Sequence, residues 1–94
     1  MKTVKANESL FEAFGYSTDE AANLEIRATL MLALERYIKS REMTQREAAA
    51  FFGTHQPRIN DLMNRRIDKF TIDALVNMLT IAGLSVKVEI LEPV

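Results

Sequence analysis

The side chains of this chain that could do chemistry are hydrogen-bond donors and acceptors rather than acids, bases or nucleophiles. Gln56, Pro57, Arg58, Asn60 and Asp61 fall within one short stretch. A glutamine can make two hydrogen bonds to the edge of an adenine and an arginine two to a guanine, so side chains of this kind at the start of a helix suit the reading of bases in a DNA major groove. Around them, Thr44, Gln45, His55, Asn64, Arg65, Arg66 and Lys69 suit contacts to phosphates, which position a protein without reading sequence. Other chemistries have little to work with. His55 is the only histidine and there is no cysteine, so no metal site is expected. No glycine-rich phosphate loop is present, and no Ser/His/Asp arrangement can be assembled around His55. Neither a catalytic residue nor a cofactor is expected.

Two short helices joined by a tight turn are needed to present those residues. Thr44 and Glu47 have the spacing of a capping box, in which each side chain satisfies a backbone N–H at a helix start, so a helix is expected from about Gln45. Gly53 can take positive φ without steric cost and lets that helix stop in a sharp turn. A second helix is expected from about Gln56, with Pro57 in its first turn, where a missing N–H costs nothing. Ala49 is small enough for the helices to approach closely, and Ile59 and Leu62, three apart, form the inner stripe of the second helix. That places Gln56, Pro57, Arg58, Asn60 and Asp61 on its outer and leading surfaces. Helical pairs around a glycine corner also occur as plain packing units, and the spacing alone leaves both readings open.

Thr44, Gln45, Glu47, Ala49, Gly53, Gln56, Ile59 and Leu62 together resemble the helix-turn-helix of the lambda-repressor-like (Cro/repressor, XRE) family, usually worded TQxExAxxxGxxQxxVSxLxxG. The flanks, SLFEAFGYSTDEAANLEIRATLMLALERYI and IDKFTIDALVNMLTIAGLSVKVEI, resemble free-standing XRE regulators similar to HigA-type antitoxins. The resemblance implies a DNA-binding regulator, a repressor holding an inverted-repeat operator as a homodimer. Its alternative implication is an antitoxin that neutralises a ribonuclease toxin and represses its own operon. Three departures stand out. His55 replaces a better capping serine. Pro57 and Asp61 occupy positions where relatives carry polar or basic readers, and Arg65 stands where a glycine commonly ends the recognition helix.

Ninety-four residues suffice for one domain with a single core. The net charge of −1 divides unevenly: residues 1–40 carry five Lys/Arg and six Asp/Glu, residues 41–69 six and four, and residues 70–94 one and three. The positive share therefore falls on the helical pair, as a phosphate-facing surface requires, and the excess is small enough that tight binding calls for a dimer. Neither a membrane span nor a signal peptide is evident, and the lack of cysteine fits a reducing cytoplasm.

The rest of the chain reads as an all-α, lambda-repressor-like bundle with one short C-terminal β-strand. One domain spans 1–94: an arm and short helix at 1–16, a helical core at 17–83 and a strand at 84–91. Ser9 with Glu12 and then Gly15 mark a short helix over 10–14, with Phe11 and Phe14 docking on the body. Ser17 with Glu20 opens a helix to about Arg41, its apolar stripe Leu24, Ala28, Met31, Leu34 and Ile38, its other face Glu25, Arg27, Arg36 and Lys39. Phe70 is expected in the core, and Thr71 caps a last helix ended by Gly83. Met31, Met43, Met63 and Met78 read as core filler. Leu84, Val86, Val88 and Ile90 then alternate with polar residues, the period of a half-buried strand. A lone strand needs a symmetry mate, another protein's sheet or the segment 2–6 to pair with, so these four residues are expected to form a dimer or partner edge.

Overall fold

Five α-helices follow one another in the computed structural model, which describes residues 10–92. They are α1 (Leu10–Ala13), α2 (Thr18–Ser40), α3 (Gln45–Phe52), α4 (Gln56–Met63) and α5 (Ile72–Ile81), with a single 3₁₀ turn, Ile67–Lys69, between α4 and α5. The starts are chemically specified. Ser17 and Thr44 each accept a hydrogen bond from the backbone N–H three residues on, while Glu20 and Glu47 reach back to the cap N–H, so both expected capping boxes form. Thr71 caps α5 by accepting from Ala74 N–H at 3.1 Å. The expected Ser9 cap lies outside the described residues.

The helix ends share one device. After α3, Gly53 N–H donates to the Ala50 carbonyl and Thr54 N–H to the Ala49 carbonyl, at 3.3 and 2.8 Å. This paired closure requires a left-handed residue, and Gly53 has φ 67°. The same closure recurs after α2 with Glu42 and after α4 with Arg65, at φ 53° and 57°. These two carry side chains in a conformation that disfavours them.

The long helix α2 is the frame. At 23 residues it runs about 34 Å at 1.5 Å per residue. α5 packs along it, and α3 and α4 pack on each other. Leu34, Ile59, Leu62 and Leu75 are fully buried where these helices meet, joined by Phe52, Phe70 and Ala49. Met31 and Met78 are buried in the same core, with Met43 and Met63 packed partly against it.

Three expectations need correction. Arg27 does not belong to a solvent face: its Nη1 donates to the backbone carbonyls of Ile67 and Phe70, at 3.0 and 3.3 Å. A guanidinium has donors enough to satisfy two carbonyls that a tight turn leaves unpaired. α1 is a residue shorter than expected, and only Phe11 docks, meeting Tyr16 edge-on at 6.2 Å, whereas Phe14 is 72% exposed. α2, by contrast, stops where expected, at Ser40 with Arg41 as its C-cap. Finally, no strand forms over 84–91: Leu84, Val86, Val88 and Ile90 sit on an irregular, exposed segment. Alternating side chains make a strand amphipathic, but the ladder needs a second strand, and none exists among the described residues. The suggested pairing with 2–6 lies outside the described residues.

Candidate nucleic-acid interface

α4 is bound to the body by one face and free on the other. Ile59 and Leu62 have no exposed surface, while Gln56, Pro57 and Asn60 are exposed and Arg58 and Asp61 half-buried. The helix starts without a side-chain cap, since His55 makes no such bond. Its carbonyl instead accepts from Arg58 N–H at 3.0 Å and Ile59 N–H at 3.3 Å. An uncapped N-terminus keeps its partial positive charge available to an anion.

The expected base readers are not equally free. Arg58 lays its guanidinium over the Phe70 ring, 4.5 Å from the centroid. Such a contact at a partly exposed site contributes roughly 0.5–1 kcal/mol, which Arg58 forgoes if it swings outward. Asn60 accepts from the Asn64 amide at 3.0 Å, which leaves its own amide N–H groups outward as donors. Gln56 and Pro57 are exposed at the leading end. Asp61 stays on the flank, its backbone carbonyl accepting from Arg66 N–H at 2.9 Å.

Of the expected phosphate contacts, Gln45, His55, Asn64, Arg66 and Lys69 are exposed around this surface. Thr44 is exposed too, but its hydroxyl oxygen accepts from Glu47 N–H at 3.0 Å. Arg65 is committed elsewhere. Its Nε and Nη2 donate to the two carboxylate oxygens of Glu35, both at 3.2 Å, while Lys39 Nζ lies 2.9 Å from Glu35 Oε2. Glu35 is 4% exposed, the one buried charged residue among those described. The Arg65 hydrogen bonds, and then those of Lys39, hold its carboxyl below the usual glutamate range, and Glu35 in turn raises the Arg65 guanidinium.

Sequence reading missed two residues here. Glu35 interrupts the apolar stripe of α2 beside Leu34 and Ile38, and a carboxylate in such a stripe is a signal that a cation must reach it. Arg46 is exposed in the first turn of α3 beside Gln45, a position from which it extends the cationic rim. Among the described residues no group of His, Asp or Glu side chains comes together that could hold a metal ion. No helix among them is long and apolar enough to cross a membrane.

A family of helix-turn-helix domains matches residues 13–91. The chain belongs to that family. This helix-turn-helix domain is also similar to a solved structure assigned provisionally, by its own description, to the XRE family of transcriptional regulators. The two are 26% identical with a TM-score of 0.73, over 79% of this chain and 83% of the other. No curated protein matches the chain in sequence. Family membership supports DNA binding by this helix-turn-helix domain, whose two short helices joined at the Gly53 corner are α3 and α4.

Proposed function

We propose that this helix-turn-helix domain is a sequence-specific transcriptional regulator of XRE type, a repressor that holds an inverted-repeat operator as a homodimer in the cytoplasm. One observation carries the reading: α4 is seated by Ile59 and Leu62, and its outward surface is lined by Gln56, Pro57, Arg58 and Asn60. Two such helices about one DNA turn apart would read two half-sites, while Gln45, Arg46, Arg66 and Lys69 grip phosphates on either side. The repression would be steric, through occupation of a promoter. Neither a catalytic step nor a cofactor enters the proposal.

The test is a salt titration of binding to the protein's own promoter DNA and to a scrambled duplex. A preference of at least about a thousandfold for the promoter, with affinity falling steeply as salt rises, supports an operator-binding protein. Equal, weak binding to both duplexes would overturn it. A second reading, a HigA-type antitoxin that also sequesters a toxin, is favoured by the exposed apolar residues Val88, Ile90 and Leu91, which suit a protein partner. Co-purification of a basic, ribonuclease-like protein encoded beside it would support that reading, and the absence of any such neighbouring gene would remove it.

A further inference from the structure

We infer that the trough beside the Glu35–Arg65 ion pair binds a small monocarboxylate with a straight apolar chain, its tail along α2 and its head on Arg65. The inference goes beyond the regulator reading and does not depend on it. Ala28, Met31, Leu32 and Glu35 recur at three- and four-residue steps, so they share one stripe of α2. Together with Phe11 of α1 and with Arg65 and Ile67 after α4, they line a space of about 400 Å³, within the roughly 300–1,000 Å³ usual for small-molecule sites. Leu32 is 40% exposed there, so apolar surface on this stripe faces water. Apolar walls with a single polar cluster are the ordinary construction of such a site: the walls hold the body of a ligand and the polar groups orient it.

Charge and length choose the occupant. Glu35 Oε1 accepts from Arg65 Nε and Oε2 from Arg65 Nη2, both at 3.2 Å, and Lys39 Nζ lies 2.9 Å from Oε2. Two cations on one carboxylate leave a surplus positive charge, which attracts a second anion and repels an ammonium group. The guanidinium has donors to receive that anion. Nε and one hydrogen of Nη2 face Glu35, and the outer edge, formed by Nη1 and the other Nη2 hydrogen, makes no bond among the described residues. The Arg65 side chain is 71% exposed, so a ligand carboxylate can reach this edge while Glu35 keeps its two bonds. From Ala28 to Glu35 the stripe runs roughly 10 Å at 1.5 Å per residue, the span of an extended chain of about eight carbons.

The test titrates the full chain, without DNA, with sodium octanoate, octan-1-ol, octylamine and acetate while methyl resonances are followed. Octanoate should saturate with a Kd of about 1 mM or tighter and shift the methyl signals of Ala28, Met31, Leu32 and Ile67. Octan-1-ol, which lacks the charge, should bind roughly tenfold more weakly, octylamine more weakly still, and acetate not at all. Lys39→Gln, at an exposed side chain, removes the surplus charge and should weaken octanoate by about two- to fivefold with no effect on octan-1-ol. Glu35→Gln leaves both cations unanswered and should tighten octanoate, again with no effect on octan-1-ol. Ala28→Leu fills the trough and should weaken both ligands roughly tenfold, with helical circular dichroism unchanged in each variant. No saturable octanoate binding, octylamine binding as tightly as octanoate, or looser octanoate binding in a folded Glu35→Gln chain would each overturn the inference. Methyl shifts that follow protein concentration instead of octanoate would overturn it too, and would give the trough to a second copy of the chain. Because DNA is absent throughout, lost promoter preference would sink the repressor reading and leave this site standing, and the converse holds.

Discussion

Replacing Glu42 and Arg65 with glycine, one at a time, isolates the bond that secures the end of α4. Both residues occupy the same left-handed position after a helix, at φ 53° and 57°. A side chain there costs roughly 1–2 kcal/mol, part of which glycine gives back through its greater freedom in the unfolded chain. Glu42 is exposed and makes no side-chain bond among the described residues. Glu42→Gly should therefore stabilise by about 0.5–1 kcal/mol, raising the melting temperature by roughly 2–8 °C for a domain of this size. Arg65→Gly relieves the same backbone but removes two hydrogen bonds to Glu35, leaving a carboxylate 4% exposed with Lys39 as its remaining cation. For Glu35 that loss is on the order of 1–2 kcal/mol, at the low end for charged hydrogen bonds because water reaches the arginine side. Arg65→Gly should thus melt at or below the native temperature while Glu42→Gly melts above it. Paired urea and thermal unfolding curves provide the assay. In a Glu35→Gln background, where the carboxylate is gone, Arg65→Gly should become stabilising like Glu42→Gly. If Arg65→Gly stabilised the native chain as much as Glu42→Gly does, the Glu35 bond would carry nothing and the argument would fail.

Four further outcomes are expected. Glu35 has its carboxyl lowered from 4.5, so the folded state binds its proton less readily than the unfolded state. Its contribution is then full above about pH 4.5 and fades as pH falls through the lower folded value, and Glu35→Gln should flatten that limb of a stability-versus-pH curve. Asp19, lowered through the Ser17 hydroxyl, acts in the same direction. Ile59→Ala empties a fully buried site and should cost about 2–5 kcal/mol in urea unfolding. Gly53→Ala meets no atom within 4 Å, so its cost is backbone strain alone, about 1 kcal/mol, and a much larger loss would reveal a packing role. Arg66→Ala or Lys69→Ala should weaken binding to all duplexes and lower the salt slope by about one, whereas Gln56→Ala should change preference at one base position.

Local features of this fold were legible because their partners lie within a few residues. Both capping boxes, the Gly53 corner, Pro57 near the start of α4 and the buried pair Ile59 and Leu62 all follow from three- and four-residue spacing. Arg65 was legible as a departure from glycine, but the bond that accompanies it was not, since Glu35 lies 30 positions away. Arg27 was misplaced for the same reason: its acceptors are 40 and 43 residues distant. The C-terminal segment failed differently. Its alternation was read as a half-buried strand, whereas the segment is exposed throughout; a strand is a property of two segments, and one sequence shows only one of them. Of the surface residues proposed to meet DNA, spacing identified which face they share; it did not show that Arg58 rests on Phe70 or that Thr44 is occupied by its own cap.

The side chains that fasten α4 are distinct from those it would read with. Arg27 ties the stretch after α4 to α2 at one end, Glu35 ties Arg65 to the same helix at the other, and Ile59 and Leu62 seat the inner face. None of these four is exposed on the outer surface. Recognition is thereby a replaceable plate on a fixed mount. Gln56 can be exchanged without loosening any of these fastenings, whereas Asn60 also accepts from the Asn64 amide and Pro57 sits in the first turn of α4, so under the proposed function a change of reading at Gln56 would leave stability most nearly where it was. Arg58 is the exception, because its ring contact couples plate to mount, and a variant that changes it gives up the hold on Phe70 along with any base contact the proposed function assigns to it.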